Sequence, residues 1–285
     1  MLKFLGTLAV TALLALLAAG CGGQGETSAD PTKPIPTSPT SSVAEELVHI
    51  VVIGDSLAET GWPDLYGTQV AAELGRPVQV DVRIAEAVAD AAALVSDPAE
   101  VITRADIVIV QAGFNNALPD PETGIGCPGS LGSGDADEVL RWIRSTTATC
   151  LSEGVKTYGG LYDQVFAGAK EARAGKPTVF VAVTTVDGNN DPDVEEGLVG
   201  FMPKPDRPEV LEWTLAAYVR WNSMLQDRAG AAGFQVVDLF HAINGPDGSR
   251  VVGDLSDDGR HPNTKGDDFY SRQLGAVDLS ALSGT

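Results

Sequence analysis

Basic residues are scarce in this 285-residue chain: 19 Lys and Arg stand against 39 Asp and Glu, a formal net charge of −20. So acidic a surface repels nucleic-acid phosphates and anionic lipid headgroups, so no nucleic-acid partner is expected. Histidine is scarcer still, with three in the chain. Any chemistry that needs an imidazole base must use His49, His241 or His261. No internal repeat is evident, and no Gly-x-Ser-x-Gly nucleophile motif surrounds Ser56, because Ala58 stands at its last position. What is present is 44% hydrophobic residues, enough to bury one large core in a single domain.

The N-terminus reads as an export signal. Lys3 precedes an apolar run from Phe4 to Ala19, which is short for a membrane span and has no basic residues after it. The run ends in Ala18-Ala19-Gly20 before Cys21. That pattern resembles a bacterial lipoprotein signal in which Cys21 becomes the lipidated first residue; ordinary secretion with cleavage nearby is the alternative. Residues 22–46 are rich in Gly, Ser, Thr and Pro and read as a flexible tether. The expected organisation is therefore a signal over 1–21, a linker over 22–46 and a folded domain over 47–282. The expected location is extracytoplasmic and lipid-anchored, or else secreted. With Cys21 lipidated, Cys127 and Cys150 remain, and outside the cytoplasm they are expected to pair.

Five apolar, β-branched runs punctuate the domain: Val48 to Ile53, Val78 to Ile84, Ile107 to Val110, Thr178 to Val183 and Gln235 to Leu239. They are nearly continuous rather than alternating, as in strands buried on both faces of a parallel sheet. Between them, Gly67 to Leu74, Val88 to Val95, Leu161 to Ala174 and Glu209 to Ala232 read as helices. On the last of these, Leu211, Leu215, Tyr218, Val219, Asn222 and Leu225 are expected on or near one face. Alternating strands and helices predict a three-layer α/β/α fold with a central parallel five-stranded sheet. Ligands in such folds bind beyond the carboxyl ends of the strands. Leu118 to about Gly160 and Asp187 to about Pro208 interrupt the pattern and are expected to wall a site.

Three strand ends carry chemistry. The first reads Gly54-Asp55-Ser56-Leu57, where Ser56 offers a hydroxyl nucleophile and a free first-turn N–H. Alone, such a Ser or Asp would equally be a helix cap. Another reads Gly113-Phe114-Asn115-Asn116, where an Asn115 amide can donate to a developing oxyanion, although Gly and Asn are also ordinary turn residues. Near the C-terminus, Asp258 stands three residues before His261, a spacing that on a helical turn sets carboxylate beside ring. His49 begins a buried strand and His241 reads as a helix-start or surface residue, so His261 is the expected base. Asp257 is expected to point elsewhere.

Taken together, Gly-Asp-Ser-Leu at 54–57, Gly-Phe-Asn-Asn at 113–116 and Asp-Gly-Arg-His-Pro-Asn at 258–263 resemble the SGNH or GDSL hydrolase family over residues 47 to 278. Trp221-Asn222 and Val236-Val237-Asp238-Leu239 resemble its last helix and strand. The resemblance implies a flavodoxin-like sheet, hydrolysis of esters or thioesters, no metal and no organic cofactor. It implies a triad of Ser56, Asp258 and His261, and an oxyanion hole from the N–H groups of Ser56 and Ala87 with the Asn115 amide. Ala87 stands where the family carries Gly, so a methyl approaches the site and a positive φ becomes unfavourable. Asn116 stands where Asp is common, which puts one supporting hydrogen bond in question.

Other motifs carry less. Gly124-Ile125-Gly126-Cys127-Pro128-Gly129 matches a dinucleotide fingerprint literally, but it neither follows a strand nor opens a helix. Asp187, Asp191, Asp193, Glu195 and Glu196 lack the offsets of a calcium loop. Trp213, Tyr218 and Trp221 read as packing residues. The expected function is a serine esterase acting on lipid or acetylated-glycan esters, as a monomer. The rivals are a non-catalytic glycan- or lipid-binding lipoprotein and an acyltransferase on the same fold.

Overall fold

The structure, a computed structural model, describes residues 46–98, 100–117, 135–146, 148–193 and 197–283. Cys21 and Cys127 lie outside the described residues, and with them the expected lipidation and the Cys127–Cys150 pairing.

Five strands form one parallel sheet: β1 (Val48–Gly54), β2 (Val78–Ile84), β3 (Ile107–Gln111), β4 (Val179–Val183) and β5 (Gln235–Val237). Their spatial order is β2-β1-β3-β4-β5, with Gly54 in register with Ile84 and with Gln111. The chain reverses direction across the sheet after β2, and the switch point lies between β1 and β3, where such folds open a crevice. β1 and β3 are central and buried. β2 is an edge strand: none of its residues is fully buried, Gln79 and Ile84 are exposed and the rest are half-buried. The continuous burial expected of it fails because only one neighbour strand and one helix layer cover it.

Side chains alternate faces along each strand. Val51, Ile53, Val108 and Val110 pack with Tyr162, Phe166 and Trp221 on one face. That face is covered by α2 (Val88–Ser96), α5 (Ala148–Ala172) and α7 (Arg207–Ala232). Ile50, Val52, Ile107, Ile109 and Val181 pack with Trp62, Tyr66 and Leu274 on the other. There α1 (Trp62–Leu74) and α9 (Thr264–Leu274) lie against one another. Among the described residues no helix is long and apolar enough to cross a membrane.

Several boundaries differ from the sequence expectation. The helix expected from Gly67 begins at Trp62, because Pro63 fits a first helical turn and Asp267 Oδ1 accepts the Trp62 N–H at 3.1 Å. β5 stops at Val237, since Asp238 caps α8 (Leu239–Asn244) through the His241 N–H. The expected loop from Leu118 to Gly160 contains α4 (Ala136–Ser145) and the first turns of α5. Val139, Leu140, Trp142 and Ile143 of α4 form an apolar stripe and join a satellite core with Val210 and Trp213. On α7 the buried face runs through Val210, Trp213, Ala217, Trp221 and Met224 as well as Tyr218 and Leu225, while Val219 is exposed. The helix is covered by the sheet on one side and by α5 on another, so its buried arc is wider than one stripe.

Candidate active site

Gly54 closes β1 where nothing larger fits: a Cβ there would collide with the Ala58 side chain and come to 3.0 Å from Gln111 Oε1. Asp55 follows, fully buried; it caps the turn that opens at Ser56 and also braces the neighbouring loop. Its Oδ2 accepts the N–H groups of Gly113 at 3.0 Å and Phe114 at 2.8 Å. Its Oδ1 accepts the Leu57 N–H at 3.2 Å and Gln111 Nε2 at 3.3 Å. One carboxylate thus ties the loop after β1 to the loop after β3. Burial pushes the Asp55 carboxyl up from its ordinary value, and these hydrogen bonds only partly offset it. The residue's position beside Ser56 at a strand end was the available signal.

Ser56 opens a single turn of 3-10 helix, Ser56–Ala58, so its N–H has no partner within the turn. Trp62 Nε1 donates to the Leu57 carbonyl at 2.8 Å and fixes that turn against α1. The Ser56 Oγ lies 3.0 Å from His261 Nε2. His261 Nδ1 lies 2.6 Å from Asp258 Oδ2. The three side chains therefore form one hydrogen-bonded row, bridging 205 residues of sequence.

Asp258 and His261 do not sit on a helical turn. Residues 257–261 form a bend, pinched by an antiparallel bridge between Ser256 and Pro262 and turned at Gly259, whose φ is +79°. Asp258 Oδ1 caps this bend. It accepts the Arg260 and His261 N–H groups, each at 2.8 Å, and the Ser256 hydroxyl at 3.0 Å. Burial works against ionisation of Asp258, but the His261 ring and these three donors outweigh it and hold the carboxyl well below the usual carboxylate range. Asp257 turns away and accepts from Asn263 Nδ2 at 2.7 Å, while Asn263 Oδ1 caps α9.

The loops after β2 and β3 meet on the other side of Ser56's turn. Asn115 Nδ2 donates to the Glu86 carbonyl at 3.0 Å and to Glu86 Oε2 at 3.1 Å. Asn116 keeps the supporting bond that its identity put in question: Oδ1 accepts the Val88 N–H at 2.8 Å, which an amide oxygen does as a carboxylate would. Ala87 is the N-cap of α2 with φ −129°, extended backbone that any residue adopts, so no positive φ is demanded there. Its N–H donates to Asp90 Oδ2 at 3.0 Å. The N–H expected to join an oxyanion hole is thus engaged in this structure: an acid at the third helical position reaches back and takes it.

Of the remaining candidates, His241 pairs with Asp238 at 2.7 Å on α8. Asp191 and Asp193 are at the surface, while Asp187 is fully buried. Glu195 and Glu196 lie outside the described residues. Among the described residues no group of three acidic, His or Cys side chains is arranged to hold a metal. Trp213, Tyr218 and Trp221 are core residues. Asn222 clamps the strand end after β4 by exchanging two hydrogen bonds with the Thr185 backbone, each at 2.8 Å.

No curated protein matches the chain. Among solved structures, a lipase from a goat rumen metagenome shares the fold with TM-score 0.58 and 15% identity, over 81% of this chain and 99% of that one. An acetylxylan esterase from Geobacillus stearothermophilus does so with TM-score 0.52 and 13% identity, over 81% and 95% respectively. At the level of sequence, residues 52–269 match the GDSL-like lipase/acylhydrolase family, so the chain belongs to that family.

Proposed function

We propose that this protein is a serine esterase that hydrolyses carboxylic esters through an acyl-enzyme on Ser56. The observation that carries the reading is the row Asp258–His261–Ser56, with spacings of 2.6 and 3.0 Å. His261 Nε2 takes the hydroxyl proton as Ser56 Oγ attacks the ester carbonyl. Asp258 holds Nδ1–H, which fixes the tautomer and stabilises the imidazolium. The oxyanion is received by the Ser56 N–H and the Asn115 amide. His261 then protonates the leaving alcohol. Water, deprotonated by the same nitrogen, attacks the acyl-enzyme and releases the acid and free Ser56.

The substrate is a small-molecule, lipid or acetylated-glycan ester, and the reading places the protein outside the cytoplasm, anchored through Cys21. A fluorophosphonate probe tests the nucleophile. It is expected to label Ser56 and to block turnover of p-nitrophenyl acetate, with both lost in Ser56→Ala. A chain that turns over no ester and leaves Ser56 unlabelled, while a known serine esterase reacts beside it, is not an esterase of this kind.

A further inference from the structure

The amide of Asn115 is fully engaged before any substrate arrives. Its Nδ2 carries two hydrogens. One goes to the Glu86 backbone carbonyl at 3.0 Å, the other to the Glu86 carboxylate at 3.1 Å. The two acceptors differ in kind. The carbonyl belongs to a backbone turn pinned on both sides: Ala85 N–H donates to the Gly54 carbonyl at 2.7 Å, and Val88 N–H donates to Asn116 Oδ1 at 2.8 Å. It is a fixed anchor. The carboxylate is carried on an exposed, rotatable side chain. Among the described residues it has no cationic partner to hold it elsewhere. A fixed anchor on one N–H leaves the second N–H a single direction, and a negatively charged oxygen already stands there.

We propose that Glu86 gates the oxyanion hole: its backbone carbonyl orients the Asn115 amide, and its carboxylate occupies the amide's other N–H until an ester carbonyl displaces it. The proposal rests on the reading of Asn115 as an oxyanion donor. Two consequences follow from the charge. Each productive encounter gives up one charge-assisted hydrogen bond to the protein's own side chain. The displaced carboxylate also remains tethered beside the reacting carbonyl, so esters carrying an anionic group near the scissile bond are disfavoured against neutral ones. The neighbouring groove at the β2 edge, about 320 Å³, points the same way. Its walls are Ala58, Pro63, Val82 and Ile84, and its two charged residues, Glu59 and Asp64, are both acidic.

The test compares wild type, Glu86→Ala and Glu86→Gln on p-nitrophenyl acetate and on the anionic p-nitrophenyl hemisuccinate, with fluorophosphonate labelling of Ser56 measured alongside. In Glu86→Ala the carbonyl anchor survives and the carboxylate is gone. Its kcat/KM for the acetate is expected to rise about tenfold, the equivalent of ~1.4 kcal/mol, and the hemisuccinate to gain more. Ser56 labelling is expected to quicken with it, because the phosphonyl oxygen uses the same hole. Glu86→Gln, which still offers an uncharged acceptor, should gain about threefold, in keeping with a neutral hydrogen bond. Damage to the loop would lower activity, so a rise separates gating from a structural role. Ser56 labelled at one rate in all three proteins, with kcat/KM unchanged or lower in Glu86→Ala, overturns the gate alone. Ser56 unlabelled in all three overturns the esterase reading and the gate with it.

Discussion

At the carboxyl end of β1 the polar groups are buried and paired, whereas at the carboxyl end of β2 they are exposed and held by neighbours. Asp55 uses both oxygens on four donors, three in the loops after β1 and β3 and one, Gln111, at the end of β3. The Asp258 bend is closed by three donors on one oxygen and the His261 ring on the other. Across the site, Glu86 and Asn115 are exposed, and Ala87 N–H belongs to Asp90. The contrast comes from topology. β1 is flanked by strands on both sides and its end is covered; β2 is an edge, and Asn115, although it follows the central β3, turns toward the loop that leaves β2. On the proposed reading, such a site keeps Ser56 and His261 pre-aligned and leaves its hydrogen-bond-donor side adjustable.

Single substitutions probe the two sides separately. The largest effect is expected on the braced side. Asp258→Asn should lower kcat on the order of 10⁴-fold with the fold intact, because the amide supports the wrong imidazole tautomer; steady-state kinetics with a folded-state check by circular dichroism measures it. Next is Asp187, in the loop behind that bend, where a Cβ on Gly188 would come to 2.5 Å from the Gly259 carbonyl. Burial pushes the Asp187 carboxyl from 3.8 up to about 7. A raised carboxyl contributes stability that is fully present below its unfolded value and is lost as pH rises through the folded one. Wild type should therefore lose up to roughly 4 kcal/mol of stability between about pH 4 and pH 8 from this group. Asp187→Asn should flatten that decline in denaturant titrations run at several pH values. An unchanged slope would show the group to be ionised in the folded protein.

On the open side the effects are smaller. Asn115→Ala should cost about 10²- to 10³-fold in kcat, the range for one oxyanion donor, with the melting temperature hardly moved. Smallest of all is Ala87→Gly. With φ at −129° and the N–H held by Asp90, restoring the family's Gly should change kcat/KM less than about threefold and stability by a few tenths of a kcal/mol. A large gain in activity from that change would mean that Asp90 releases the Ala87 N–H during turnover.

Much of the fold was legible because parallel sheets demand apolar, β-branched runs, and five such runs are the five strands. What was read wrongly depended on neighbours. Val78 to Ile84 alternates apolar residues with Gln79, Asp81 and Arg83, the period-two pattern of a half-buried strand, so its partial exposure is legible locally, while its place at one end of the strand order is not. Trp62 starts α1 early because of Asp267, 205 residues away. The helix at Ala136–Ser145 follows a Gly-rich stretch that masks its apolar stripe in the sequence. At the site, residue types and order sufficed to single out Ser56, Asn115, Asp258 and His261. They did not suffice for Asp55 or Glu86, because an acid beside a strand end looks the same whether it faces solvent or a neighbouring loop.

The residue types of the site and their order along the chain are carried by the amino-acid sequence, since two strand-end motifs, the Asp258–His261 segment and few histidines leave little choice. Tertiary structure alone decided which hydrogens those residues still have to offer. The Asn115 amide is taken by Glu86, from the loop after a different strand. Hydrogen bonds are short-ranged and directional, so their allocation depends on how loops from separate strands are brought within 3 Å of one another. A linear sequence does not carry that information locally.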